Sequence, residues 1–434
     1  MSEKLLVGIQ ERPKSITQWL ILSLQHVFAM FGATVLVPIL TGLDVGVALV
    51  ASGVGTLIYI ACTKGKVPVY LGSSFAYITA IATAGAVNGY SSAYVGLMLV
   101  GIIYVIVATV IRFAGSAWIK KILPPVVIGP MIMIIGLGLA NVAIGQAGLA
   151  PTSGDPYFAF LATSWKNPII ALVTFATVVF VAVSGKGFFR IVPFLIAVLT
   201  GYILAVILGV VDLSVVWDGY SFFQVPAFQF PFIDYSLDFD AIWMFAPIAF
   251  VTIAEHIGDH TVLGEITGKD FIEDPGLENT IMGDGIATFV SAVIGGPANT
   301  TYGENTGVVA MTRVGSVYVT GLAAIFAISL GFLGWIQAFI NSIPSAVIGG
   351  MTIVLYGLIA GNGVRVIVKA NLDLSKIRNI IIIATMLVVG LGGAQIVFET
   401  NDAGAVVSGL QGMSLAAIVG VVLNLVLPEV ENAE

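Results

Sequence analysis

Apolar stretches of roughly 18 to 25 residues recur along most of the chain, and each is long enough to cross ~30 Å of hydrocarbon as a helix. Lipid offers the backbone no hydrogen-bond partners, so only helices or closed barrels span it, and a barrel would show shorter segments of alternating polarity. Composition points the same way. Of 434 residues, 58% are hydrophobic and only 9% charged, with a mean hydropathy of +1.05, far outside the range of soluble domains. The expected fold class is an all-α polytopic membrane protein.

Hydropathy places about fourteen transmembrane segments, at 15–40, 45–63, 67–84, 92–115, 122–145, 167–184, 189–211, 241–266, 276–295, 297–312, 314–336, 344–369, 379–397 and 405–427. The polar first 14 residues and a first span too long for a signal peptide predict a retained amino terminus. Sixteen of the 17 Lys and Arg fall on one side of this arrangement, Lys166 alone on the other. That bias and the even span count place both termini in the cytoplasm and the aromatic, acidic link from Asp212 to Asp240 outside. The single cysteine, Cys62, excludes an intrachain disulfide framework.

The stretch Leu123 to Ala140 in span five matches Ile343 to Ala360 in span twelve, with Pro, Val, Ile, Gly, Met and Ala at shared offsets. Gln25-His26 of span one is echoed by Glu255-His256 of span eight. Both pairs are seven spans apart, an odd number, which predicts two inverted seven-span repeats, a common plan of secondary transporters. Spans three and ten are broken by Pro68, Gly72, Pro297 and Gly303, so both are expected to start extended and then turn helical near the bilayer midplane. Their helix amino termini would aim positive dipole ends at a solute.

Glu255 and Glu304 sit inside apolar runs, where an ionised carboxylate costs several kcal/mol on most scales and persists only beside a wet cavity, a partner or a titrating proton. Spacing of four places Glu255 and Asp259 on one helical face and His256 and His260 on the neighbouring one. Glu255 is therefore a candidate hydrogen-bond acceptor and proton carrier, His256 a candidate support for the acids, and Asp259 a supporting acid or a cation-coupling residue. His256 and His260 have metal-ligand spacing but lack a third ligand, and no metal site is expected. No phosphate loop, nucleotide fingerprint or hydrolase triad stands out, so neither an enzyme nor an ATP-driven pump is expected.

Around Glu304 the chain reads Glu304-Asn305-x-Gly307-x4-Thr312-Arg313. This resembles the signature of the nucleobase-ascorbate transporter family, a Gln, Glu or Pro followed by Asn-x-Gly-x4-Thr-Arg. Gln25-His26, Glu255-x-x-Gly258-Asp259 and Gly72-Ser-Ser-Phe75 extend the likeness over nearly the whole chain. Within that family the AEHIGD and NTTYGEN segments resemble the bacterial uracil permeases. The resemblance implies a core domain over 15–120 and 241–337 (spans one to four and eight to eleven) and a gate domain over 121–212 and 338–428. It implies that Glu255 and Glu304 hydrogen-bond uracil, that Phe75 stacks on the ring, and that Gly303 offers its backbone with Tyr302 lining the pocket. Gln25, His26 and Asn305 would brace the site. Some relatives carry histidine at the position of Asp259, so no relay role transfers there. The implied activity is proton-coupled uracil uptake across a bacterial cytoplasmic membrane by a homodimer, with no cofactor beyond the coupling ion and no nucleic-acid partner. Sodium coupling, a purine substrate, and a receptor or channel on the same fold stay open.

Overall fold

A computed structural model describes residues 5–150, 165–187, 189, 192–214 and 216–428. The chain ends and part of the expected start of span seven, residues 190 and 191, lie outside the described residues. The first two helices are α1 (Ile16–Thr41) and α2 (Val45–Cys62). Each starts on a side-chain cap, Ser15 accepting from Gln18 N at 3.1 Å and Asp44 from Val47 N at 2.8 Å. Strand β1 (Leu71–Ser73) then runs through a 3-10 turn at Phe75–Tyr77 into α3 (Ile78–Val87). Next come α4 (Tyr90–Ala114), α5 (Ala117–Ile122), α6 (Pro125–Gly138), α7 (Ala140–Gln146), α8 (Lys166–Ser184) and α9 (Pro193–Ile207).

The second half opens with α10 (Ile242–Thr267) and α11 (Leu277–Val293), followed by strand β2 (Asn299–Thr301) and α12 (Gly303–Thr312). It continues through α13 (Val317–Gly331), α14 (Gly334–Asn341), α15 (Ser345–Lys369) and α16 (Ile377–Leu391), then strands β3 (Gln395–Thr400) and β4 (Val406–Gln411), and ends on α17 (Met413–Val426). Among the described residues, six helices are long and apolar enough to cross a membrane, α6 and α7 counting as one, and five shorter apolar helices accompany them. With a length of 26 residues α10 matches α1, but it carries Glu255, Asp259 and Glu265.

Two neighbourhoods of packing follow. In one, α11 lies against α2 and α4, while α13 lies against α1 and α2. In the other, α15 lies against α6, α7 and α8, and α16 against α6 and α17. Glycines set the close approaches. A Cβ on Gly101 of α4 would stand 2.7 Å from the Gly285 carbonyl of α11, and one on Gly136 of α6 would stand 2.3 Å from the Tyr356 carbonyl of α15. Without a hydrophobic drive between helices in lipid, small residues that let backbones touch supply much of the association.

The interrupted segments of spans three and ten meet. β1 and β2 pair antiparallel in the register Leu71↔Thr301, Gly72↔Thr300 and Ser73↔Asn299. The ladder extends at both ends, with Ser74 N donating to Ala298 O at 2.9 Å and Tyr302 N to Tyr70 O at 3.3 Å. Two short strands thus satisfy each other's backbone where a lone extended segment would leave it bare. The matched stretches of spans five and twelve also start alike, each helix following an extended proline, Pro124 for α6 and Pro344 for α15.

The last two expected spans need correction. Residues 379–397 and 405–427 are not continuous helices: α16 stops at Leu391, the β3–β4 hairpin intervenes, and α17 starts at Met413. Gly393 at φ +74° breaks the helix, and the β-branched and aromatic run Ile396-Val397-Phe398 favours strand once the break is made. Span eleven is likewise broken, α13 ending at Gly331 and the short α14 following. Span seven shortens to Pro193–Ile207.

Substituting Gly101→Val should lower stability by about 1–3 kcal/mol through overpacking, seen as a lower melting temperature of the detergent-solubilised protein. Gly361→Ala, whose Cβ would meet nothing within 4 Å, should leave it unchanged or slightly raised.

Candidate functional site

The two strand-to-helix junctions bring the starts of the β1–α3 and β2–α12 half-helices together, and the middle of α10 packs across them. Glu304 lies in the first turn of α12, and Gly303, its first residue, is exposed although Tyr302 and Asn305 on either side are buried. A Cβ at Gly258, Gly303 or Gly307 would meet nothing within 4 Å. These glycines of α10 and α12 therefore border open space. Glu255 and Glu304 are half-buried, and Glu255 is within electrostatic reach of Asp259 and Glu304. Neither Glu255 nor Glu304 has a hydrogen bond or ion pair to another residue among the described residues.

Several neighbouring polar groups, by contrast, are committed. Asp259 Oδ2 accepts from Thr301 Oγ1 at 2.6 Å, tying α10 to β2. Tyr302 turns its buried ring against β1, where its hydroxyl donates to Ser73 O at 2.8 Å. A Cβ on Gly72 would stand 2.2 Å from that ring, so residue 72 is glycine for want of room. Asn305 Nδ2 donates to His26 Nδ1 at 3.0 Å and to His26 O at 3.1 Å, holding α12 against α1. Gln25 does not join this bond, and its Oε1 is buried without a partner. Phe75 is half-buried and touches three separate hydrophobic clusters, one built on α4, α10 and α6, one on α9 and α15, and one on α1, α2 and α13. Several side chains bridge two of these clusters, Ile359 and Ile39 among them, and Phe75 packs against all three.

His256 does not support Glu255 or Asp259, contrary to expectation. Its Nδ1 is 2.7 Å from Asp284 Oδ2 on α11, and both side chains are 0% exposed. The i, i+1 geometry of a helix turns consecutive side chains about 100° apart, which carries His256 off the face that Glu255 and Asp259 share. His260 Nδ1 donates to His256 O at 2.7 Å, leaving Nε2 to accept the Tyr59 hydroxyl of α2. The two imidazoles stack at 3.9 Å between centroids. Asp284 escaped the sequence reading although the signal existed, a lone acid in the apolar run Ile281 to Val293, flanked by Gly283 and Gly285. Among the described residues no group of three or more His, Cys, Asp or Glu could hold a metal ion.

A multi-pass helical membrane protein with two crossed half-helices is the class that this fold defines. Its architecture matches the transmembrane domain of a cyanobacterium bicarbonate transporter, BicA, at a TM-score of 0.65 and 15% identity, over 96% of this chain and 100% of that one. It also matches SLC26A9 at 0.67 and 14%, over 95% of this chain and 65% of that one. At such identities the likeness concerns fold alone. A family model described as "Permease family" matches residues 17–398. The chain is 46% identical over 427 residues to a uracil permease of Bacillus caldolyticus, covering 98% of this chain and 95% of that one. It is 46% identical over 434 residues to that of Bacillus subtilis strain 168, covering 100% and 97%. With the uracil permease of Escherichia coli K12 it shares 40% over 420 residues, covering 97% and 93%. The chain belongs to this permease family, the nucleobase-ascorbate transporters.

Removing Asp284 should unsettle the whole α10–α11 contact. Asp284→Leu strands the buried His256 imidazole and should cost about 3–5 kcal/mol, the usual loss when one partner of a buried pair is deleted. Asp284→Asn, which can still hydrogen-bond, should cost clearly less in the same melting assay.

Proposed function

We propose that this chain is a secondary active transporter that imports uracil by proton symport across the bacterial cytoplasmic membrane. The observation that carries the reading is the pair Glu255 and Glu304: two half-buried carboxylates left without partners among the described residues and beside open space, while Asp259, the Tyr302 hydroxyl and the Asn305 amide nitrogen next to them are engaged. Uracil is flat and uncharged, with two N–H donors and two carbonyl acceptors. A carboxylate accepts from its N–H groups, the free Gly303 amide at the start of α12 donates to a carbonyl, and the Phe75 ring stacks on its face. The curated relatives named uracil permease support the choice of base.

In this reading the chain forms fourteen segments in two inverted repeats with both termini cytoplasmic. The domain over 15–120 and 241–337 holds the substrate, and the domain over 121–212 and 338–428 is the gate, two such chains forming a homodimer. Transport is a movement of core against gate about the site. Coupling to protons requires that protonation of Glu255 or Glu304 favour one position over the other, because a ligand shifts an equilibrium only by its differential affinity for the two states. Asp259 is already engaged by Thr301, which favours a supporting role for it over cation coupling.

Two measurements test this. Glu304→Gln should weaken uracil binding by about 1.5–3 kcal/mol, the worth of a hydrogen bond to a charged group, or roughly ten- to hundredfold in Kd; unchanged affinity would remove Glu304 from the site. In right-side-out membrane vesicles, accumulation of labelled uracil should rise with an imposed inward proton gradient and vanish when the gradient is collapsed. Accumulation that persists without it would rule out proton symport.

A further inference from the structure

A cavity of about 230 Å³ lies beside Phe75 but is not bordered by Glu255, Gly303 or Glu304. It lies between α3 and α10 on one side and α6, the end of α16 and the start of α17 on the other. Along α10 it is bordered by Met244 and Ile248. Ile248 precedes Glu255 by seven positions, about 10 Å of helix at 1.5 Å per residue. Phe75, proposed above to stack on the substrate ring, thus also borders this second space, and in this reading it is the partition between the acids and the space. The space is far larger than the 10–15 Å³ or so that one water needs.

Phe75, Thr79 and Thr83 follow at intervals of four, so one face of the 3-10 turn and α3 runs along the cavity from the partition outward. Thr79 is exposed and Thr83 half-buried. Threonine hydroxyls on helices elsewhere in this chain turn back to the carbonyl four residues earlier, as Thr56, Thr63 and Thr174 do at 2.8–2.9 Å. Thr79 and Thr83 make no such bond and no other among the described residues. Two free hydroxyls thus border a partly open cleft, each able to donate once and accept twice. Across from them stand the thioethers of Met244 and Met413 and the Gln411 carboxamide, whose side-chain hydrogen bond among the described residues runs from Nε2 to Met244 Sδ at 3.6 Å. The β3–β4 hairpin brings Gln411 to the wall of this space and is held by Asn88 Nδ2 to Val407 O at 3.0 Å and by Phe398 against Trp243 at 5.7 Å.

We propose that this cavity is a second binding subsite, which holds a small neutral planar heterocycle bearing amide-type N–H and C=O groups before it passes Phe75. Thr79 and Thr83 pair with the ring edge, Gln411 supplies a further donor and acceptor, and the methionine sulfurs cover the ring face. With no charged group on its wall, the subsite binds more weakly than the acids do. It delivers the ring to the partition already stripped of bulk water. The proposal rests on the uracil-transport reading above.

The test uses full-length protein with Cys62→Ser and Gly138→Cys, a wall position that is exposed and whose Cβ would meet nothing within 4 Å, labelled with a methanethiosulfonate reagent in the presence and absence of uracil. Saturating uracil should slow labelling at least fivefold, and should still do so when Glu255→Gln and Glu304→Gln disable the inner site. Adding Thr79→Val to that background should abolish the protection. Protection that disappears with the two glutamates would mean that the inner site alone holds substrate, and would overturn the subsite. Uracil binding to the wild type without any protection of the introduced cysteine would overturn the subsite while leaving the transport reading intact. No uracil binding to the wild type at all would sink both.

Discussion

Everything at the centre of this protein depends on how two stretches of extended backbone survive in a medium that cannot hydrogen-bond to them. Each unsatisfied N–H or C=O in hydrocarbon costs several kcal/mol, so a single broken span would be untenable. The register of Leu71 to Ser73 on Thr301 to Asn299 solves this by pairing the two breaks with each other. One consequence is positional: α3 and α12 must start where the strands end. Their unsatisfied amides and positive dipole ends are thereby delivered to the protein interior. Gly72 makes the crossing possible by leaving room for the Tyr302 ring, and Tyr302 fixes it by its bond to Ser73 O.

The broad plan was legible because it follows from bilayer thickness and from Gly and Pro placement. The acids at 255 and 304 were legible because an intramembrane charge is too costly to keep without cause. The rule was equally applicable to Asp284, but its partner His256 is 28 residues away on another helix, and no local pattern announces such a pair. The Tyr59–His260 contact spans 201 residues and is invisible to spacing for the same reason. The β3–β4 hairpin was lost in hydropathy, since Ile396, Val397 and Phe398 raise an apolar score as well in a strand as in a helix. The better guide was chemical: Gly392-Gly393 and the turn Asn401 to Gly404 bracket the strand.

If core and gate move against each other, the contacts between them must be ones that exchange easily. Between α10 and α15 the described polar link is Lys369 to Glu265 at 2.8 Å, with side chains 50% and 60% exposed, and an exposed pair of this kind contributes about 0–1 kcal/mol. By contrast, Asp284–His256 and Asn305–His26 are buried and Asp259–Thr301 is part-buried. Bonds of that kind are costly to break because the freed groups find no water. Among the described residues, the polar bonds that tie α10, α11, α12, α1 and β2 together thus lie deeper than the exposed Lys369–Glu265 link between α10 and α15.

That distribution also explains why Glu255 and Glu304 can be left without partners. A carboxylate meant to receive a ligand's N–H cannot already be occupied, yet an unpaired acid in a yielding environment would turn toward any donor within reach. Here several of the nearby donors are spent elsewhere. Thr301 is bound to Asp259, the Tyr302 hydroxyl to Ser73, the Asn305 amide to His26, and His256 has turned to Asp284. The surroundings therefore hold the two acids in place without satisfying them, which is the condition for a preorganised site. A substitution that released any one of these donors would compete with the ligand for the carboxylates, lowering affinity without touching a single substrate contact.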